Sequence, residues 1–385
     1  MRVLLITDGI HPFVMGGMQK HSWYLAKFLA AKAVRVHVVH CTPSPPVPPV
    51  AERPEFAGFD HRFIRFQSLP FPAGPRWPFH YLRKSRRYSE QAWQAVRPLL
   101  EEFDLIYAQG LTAAAFIQAK RRGEHDLPVT VNLHGLEMFQ TAPSAMARAA
   151  RLPLRRMARS ICTGADAVFS FGGAITDILR RLGVPPERIL ECPIGMEDSW
   201  LVPDVPPTPG RVRSFLFVGR DERRKGVNEL MQAIRLLPPD EPFRFGFIGP
   251  LAPEHRLDDP RFTYHGAIGE EGRMQQLMRE ADVLVCPSHS EGMPTVIMEA
   301  MASRLAVIAT AVGAVPQQVQ GNGWLLPSPE PAALARALQE AIRMPENELD
   351  AMKARSLARV RERFTWERVI ERKIGLLQGV LHQRG

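Results

Sequence analysis

Short apolar runs alternate with helical stretches along the whole chain, and that rhythm restricts the fold more than any other feature. In the first half, Arg2–Ile6, Val34–His40, Leu105–Ala108, Val129–Leu133, Ala167–Ser170 and Ile189–Cys192 read as buried strands. Met18–Ala31, Tyr81–Arg97 and Ile175–Leu182 lie between them as helical patterns. The second half repeats this, with strands at Ser214–Val218, Phe243–Ile248, Asp282–Cys286 and Ala306–Ala309. Its helices are Asn228–Leu236, Gly272–Glu280 and Pro331–Ile342. Strands without polar alternation are covered on both faces, so each half predicts a parallel sheet with helices on both sides. Between the halves, Val202–Gly210 holds four prolines and can continue neither a helix nor a central strand.

The expectation is an α/β protein of two doubly wound, Rossmann-like domains facing each other across a cleft. Its divisions are residues 1–200, a linker at 201–212, and 213–364. A last helix opens at Phe364-Thr365-Trp366-Glu367, with Thr365 as N-cap; Arg368 stands where a full capping box would want Glu or Gln. No Gly-x-Gly-x-x-Gly follows a strand in either half, which argues against a nicotinamide or flavin dinucleotide.

The 385 residues, 45% hydrophobic and 23% charged, describe an ordinary globular composition with room for two domains. No apolar run approaches the roughly 20 residues that span a bilayer. The apolar start Val3–Ile6 is interrupted at Asp8, too early for a signal peptide, so a cytoplasmic protein is expected. Cys41, Cys162, Cys192 and Cys286 stand far apart and offer no metal-knuckle spacing. The net charge of +9 fits nucleic acid, an anionic membrane or phosphorylated small molecules. Basic residues gather at Arg83–Arg87 and at Arg148, Arg151, Arg155, Arg156 and Arg159, the first beside the aromatic loop Phe71–Phe79. That pattern fits a solvated helix face, and equally a peripheral attachment to the inner face of the cell membrane.

The densest chemical signal is Ser288-His289-Ser290-Glu291-Gly292-Met293-Pro294-Thr295, between the strand ending at Cys286 and a helix through Ala302. Pro294 suits the first helical position, where a missing N–H costs nothing. The helix mouth offers backbone N–H groups to an anion, and Glu291 and Glu299, eight residues apart, offer carboxylates to hydroxyls. A sugar joined to a phosphate needs both. Arg220 and Lys225 follow the strand Phe215–Val218, at the sheet end where doubly wound folds bind ligands, and can neutralise a diphosphate. Met15-Gly16-Gly17-Met18 follows the first strand, and His134 follows Val129–Leu133. No Asp-x-Asp ends a strand; Leu257-Asp258-Asp259-Pro260 reads as a structural turn.

Together these segments resemble the retaining GT-B glycosyltransferases of family four (glycosyl transferases group 1), with the strongest likeness over Phe215–Pro316. The resemblance implies transfer of a sugar from a nucleotide-diphosphate donor to an acceptor hydroxyl, by front-face attack and without a metal or other cofactor. Glu299 would hold the ribose and Glu291 the sugar hydroxyls. Amides of Gly292, Met293 and Thr295 would face sugar and phosphates, and Arg220 and Lys225 would stabilise the leaving diphosphate. Gly16 and Gly17 resemble the loop that closes over the donor, with positive φ permitted there. His134 falls where the family places a histidine beside the sugar, and Gly266 and Ala267 where it holds the base. Many relatives carry glutamate after Val312–Pro316, whereas this chain has Gln317-Gln318. Residues 365–385 are expected to pack back on the N-terminal domain, which takes the acceptor: a glycan, a lipid-linked or a small molecule. A glycoside hydrolase using the Glu291/Glu299 pair, or a non-catalytic binder of sugar nucleotides or nucleic acid, are the rival readings. Phosphate donors argue against the first, and the absence of a recognition helix or RNA-binding aromatic motif against nucleic acid.

Overall fold

The computed structural model describes residues 1–14, 16–42, 53–74, 80–140, 145–203 and 212–383. Met15, residues 75–79 of the aromatic loop and 204–211 of the proline-rich linker lie outside the described residues. The chain forms two compact units. One comprises Met1–Phe171, Ile175–Pro193 and Val369–Gly385; the other comprises Gly172–Ala174 and Ile194–Arg368.

In the first unit the strands are β1 (Arg2–Ile6), β2 (Arg35–Thr42), β3 (Ile64–Pro70), β4 (Leu105–Gln109), β5 (Val129–Asn132), β6 (Ala167–Ser170) and β7 (Ile189–Glu191). They form one parallel sheet in the order β3-β2-β1-β4-β5-β6-β7. Every residue of β4 and β5 is buried, which is why continuous apolar runs marked them. The edge strand β3 is interrupted instead by polar Arg65, Gln67 and Ser68, with Arg65 and Ser68 exposed, and carries no such run. The second unit holds β8 (Arg213–Val218), β9 (Phe243–Ile248), β10 (Phe262–Gly266), β11 (Val283–Cys286), β12 (Ala306–Thr310) and β13 (Gly323–Leu326). Their order is β10-β9-β8-β11-β12-β13, again all parallel. One face is filled by phenylalanines from neighbouring strands: Phe215 stacks on Phe245 at 5.7 Å and Phe245 on Phe247 at 4.7 Å.

Strand order reverses between β1 and β4, and again between β8 and β11. In such sheets the loops leaving the carboxyl ends at the reversal diverge and leave room for a ligand. All four cysteines are buried free thiols. The last helix, Trp366–His382, is capped by Thr365, whose Oγ1 accepts from the Arg368 N–H at 3.5 Å. From Val369 onward it belongs to the first unit, where Lys373 is fully buried. Its Nζ donates to the Tyr107 hydroxyl at 3.0 Å and stands 4.4 Å from the Phe169 ring centre. No helix among the described residues is long and apolar enough to cross a membrane.

Buried histidines of the first unit are held neutral, among them His21, His40 and His134. Burial pushes His40 down to about 4, burial with the Lys373 charge pushes His134 down to about 3, and His21 is lowered by the same two causes. A depressed folded pKa means that the unfolded chain takes up protons first as pH falls below 6.5. Stability is therefore complete above that value and lost below it. Between pH 7 and pH 5 each such histidine removes about 2 kcal/mol. Thermal melting at the two pH values checks this: a drop of at least several degrees is expected, and equal melting temperatures would contradict neutral burial.

Candidate active site

The second unit gathers its candidate residues at the carboxyl edge of its sheet. β8 ends at Val218 and continues through Gly219 to Arg220; a turn at Arg223–Lys225 then leads into the helix Val227–Arg235. Gly226 joins turn to helix at φ 71°, and a Cβ there would stand 1.9 Å from the Pro287 carbonyl oxygen. Glycine is thus required twice over, for the left-handed backbone and for close approach to the loop leaving β11. That loop is pinned to the turn by the His289 N–H, which donates to the Arg224 carbonyl at 2.7 Å.

These contacts bring Lys225 to Glu291. The Lys225 Nζ lies 2.6 Å from Glu291 Oε1, which also accepts from the Ser288 hydroxyl at 2.8 Å. Arg224 Nη1 stands 3.5 Å from Oε2. Glu291 is buried, so this carboxylate is matched by two cations and a hydroxyl rather than by water. Burial, with the Glu291 charge next, pushes the neighbouring Cys286 thiol up to about 11, leaving it a neutral space-filler.

The other side of the loop rests on Gly313. Its φ is 54°, and a Cβ would lie 2.2 Å from the Glu291 carbonyl oxygen and 2.4 Å from that of Gly292. The Ala314 N–H donates to the Gly292 carbonyl at 2.7 Å. Beyond it the helix runs Thr295–Ala302, so Pro294 is its N-cap and not its first residue. The extended ψ of 119° at Pro294 sets this, and its carbonyl accepts from the Ile297 N–H and from Gln318 Nε2 at 3.0 Å. Gln318 therefore braces the helix mouth. Glu299 is half-buried on the helix, and the Met293 side chain points into the core, leaving its backbone as its candidate group.

Arg220 lies beyond β8 with its side chain 71% exposed, 3.1 Å from Glu222. Glu222 also meets Arg224, Arg223 pairs with Glu229, and Asp221 accepts from His255. The basic run is thus partly self-paired, with Lys225 turned away from it toward Glu291. Gly266 ends β10 at φ 69°, its carbonyl accepting from the Gly249 N–H at 2.7 Å, and Ala267 follows exposed.

Gly16, Gly17 and His134 belong to the first unit. The positive φ that the two glycines permit is not adopted. Gly16 is extended at φ 165° and Gly17 opens the helix Gly17–Ala31, with nothing within 4 Å of a Cβ built on it. A Cβ on Gly16 would stand 2.2 Å from Gln19 Oε1, whereas Gly17 has room for a side chain. His134 instead carries the left-handed backbone, φ 57°, with Leu136 at 47° two residues on. Strain of this kind in non-glycine residues costs about 1–3 kcal/mol and clusters at functional sites. The His134 ring Nε2 lies 2.7 Å from Gln109 Oε1, and the His134 backbone N–H donates to Asn132 Oδ1 at 2.8 Å. Gln109, Ser288, Arg224 and the Gly226 and Gly313 contacts were not anticipated from sequence. Only the spacing of Ser288 three residues before Glu291 could have hinted at one of them.

Two family models match in tandem: Glycosyltransferase Family 4 over residues 15–199 and Glycosyl transferases group 1 over residues 212–344. The chain belongs to glycosyltransferase family four. A family relative assigned to colanic acid biosynthesis, WcaL of Salmonella typhimurium, is 27% identical over 218 residues, 52% of this chain and 54% of that protein. The chain thus spans between a third and about half the length of the first curated relatives it matches. Among solved structures, sucrose-phosphate synthase of Thermosynechococcus elongatus superposes with a TM-score of 0.77 at 22% identity, covering 100% of both chains. Anabaena HepE in complex with UDP-glucose gives 0.68 at 17% identity, covering 98% of this chain and 100% of that one. At these identities the likeness is one of fold, and that fold is GT-B.

Proposed function

We propose that this family-four member is a retaining glycosyltransferase that moves a sugar from a nucleotide-diphosphate sugar to an acceptor hydroxyl. The junction of Lys225 with Glu291 carries the reading. It sets an ammonium and a carboxylate side by side at the reversal point of the second sheet, in the loop that leads into the helix Thr295–Ala302. Lys225, with Arg220, offers positive charge to the departing diphosphate; Glu291 offers its oxygens to the sugar hydroxyls. The N–H groups of Gly292, Met293 and Thr295 face sugar and phosphates, Glu299 takes the ribose, and Gly266 and Ala267 hold the base through their backbone. His134 stays neutral and serves as a hydrogen-bonding partner for the sugar.

The bond from the anomeric carbon to the phosphate oxygen breaks as the acceptor oxygen approaches on the same face. The acceptor proton passes to the leaving phosphate. No protein nucleophile is required, and we propose that Arg220 and Lys225 supply the charge that a metal would otherwise bring. The complex of HepE with UDP-glucose supports uridine donors as the first to try. A hydrolase using Glu291 as its acid is disfavoured, because Lys225 Nζ already occupies Glu291 Oε1 at 2.6 Å, where a leaving-group oxygen would have to approach.

Incubation with UDP-sugars and an acceptor panel, with and without EDTA, tests this. NMR of the product should show the donor's anomeric configuration retained and a rate unchanged by EDTA. An inverted product, or activity abolished by the chelator and restored by a divalent cation, would overturn it.

A further inference from the structure

At the opposite edge of the first sheet, where strands begin, lies a cavity of about 440 Å³. Four arginines line it, Arg2, Arg35, Arg62 and Arg65, together with His37 and Glu102. The parallel register forces this grouping, since Arg2 pairs with Arg35 across β1 and β2, and His37 with Arg65 across β2 and β3. Neighbouring strands are about 4.8 Å apart, so the Arg2 and Arg35 side chains leave adjacent backbones in the same direction. Like charges placed so are destabilising unless something compensates them.

Compensation is incomplete. Arg2 makes a forked pair with Asp104 at 2.7 and 3.0 Å, and Arg62 one with Asp60 at 2.7 and 2.9 Å. Arg65 bonds Glu102 at 2.6 Å and donates through Nε to His37 Nδ1 at 2.9 Å. Its donation makes His37 a neutral acceptor, and burial, with the Arg65 charge next, pushes that imidazole down to about 4. Among the described residues Arg35 forms no ion pair, although it lines the same cavity. A guanidinium presents two parallel N–H donors, a geometry matched by phosphate and carboxylate oxygens.

We propose that this cavity is a second anion site, separate from the carboxyl-edge site of the second unit, for a small molecule bearing two or more neighbouring anionic groups. Its volume falls in the range of small-ligand pockets. Substrates of doubly wound sheets bind at the carboxyl ends of the strands, and this cavity lies at the amino ends. The occupant is therefore an effector rather than the sugar donor. Phosphate esters and polycarboxylates share the required chemistry, and two probes separate them.

Calorimetric titration of the full chain with inorganic pyrophosphate, and separately with citrate, tests the site in wild type, Arg35→Glu, Arg35→Ala and Lys225→Ala. Arg35 is exposed, so its variants should melt as wild type does. Pyrophosphate should bind Lys225→Ala through the arginine cavity, and Arg35→Glu should weaken that component at least tenfold, Arg35→Ala less. Citrate binding that also disappears in Arg35→Glu extends the site to carboxylates; response to pyrophosphate alone assigns it to phosphates. Unchanged stoichiometry and affinity in both Arg35 variants would overturn the proposal, whatever Lys225→Ala does to the proposed transferase site.

Discussion

Lys225→Ala should lower turnover by about 10²–10³, the loss expected for one preorganised charge donor at a leaving group. Two consequences of the 2.6 Å contact with Glu291 explain why the effect should be this large. The ammonium that would meet the diphosphate is gone, and a buried carboxylate loses its nearest cation, with the Ser288 hydroxyl at 2.8 Å and Arg224 farther off at 3.5 Å. Breaking a buried pair from one side costs about 3–5 kcal/mol of stability, so melting must be followed alongside activity. Lys225→Met, which keeps the packing of the stem, separates the two effects. If the charge acts on the leaving group, Met should lose as much turnover as Ala while retaining more stability. Turnover within a few-fold of wild type in both variants would remove Lys225 from the chemistry.

Gly313→Val is expected to abolish at least 99% of activity in a protein that still folds. A Cβ at this position meets the carbonyl oxygens of Glu291 and Gly292 at 2.2 and 2.4 Å, and neither belongs to a side chain that could swing aside. The loop carrying both residues must shift, and displacement by about 1 Å at a reacting centre is worth about 100-fold. Backbone strain at φ 54° adds to the cost. Gly183→Ala is the control, since φ there is 90° with nothing within 4 Å of the new Cβ. It carries the strain without the collision, and should lose stability while keeping wild-type turnover. Equal turnover in Gly313→Val and wild type would mean that the loop position does not matter.

What the sequence disclosed follows burial. Strands β4, β5, β11 and β12 are covered on both faces and announce themselves as apolar runs, whereas β3 is interrupted by polar residues and β13 is half-exposed, so neither stands out. Within the site, Lys225 and Glu291 could each be assigned to a strand's carboxyl end, but not to one another. They are 66 residues apart, and meet because β8 and β11 are neighbours at the reversal of strand order. The segment Val312–Pro316 stands out in the sequence only by its resemblance to relatives. Its actual constraint, the fit of Gly313 against two carbonyls, is a tertiary contact that no local pattern encodes. Gln109 looks like any strand-terminal residue until β4 and β5 are paired and its amide meets His134.

The carboxyl edge of the second sheet, on the function proposed above, binds a nucleoside diphosphate through Lys225 and its neighbours. A thermal-shift screen against UDP, GDP, ADP, TDP and CMP, without added metal, measures it directly, in wild type and in Lys225→Ala. A ligand at 100 times its dissociation constant adds about 2.7 kcal/mol. A clear rise in melting temperature is expected with one diphosphate in wild type and little or none in the variant. A folded wild-type protein that responds to none of the five, or a variant that responds as strongly as wild type, would contradict it.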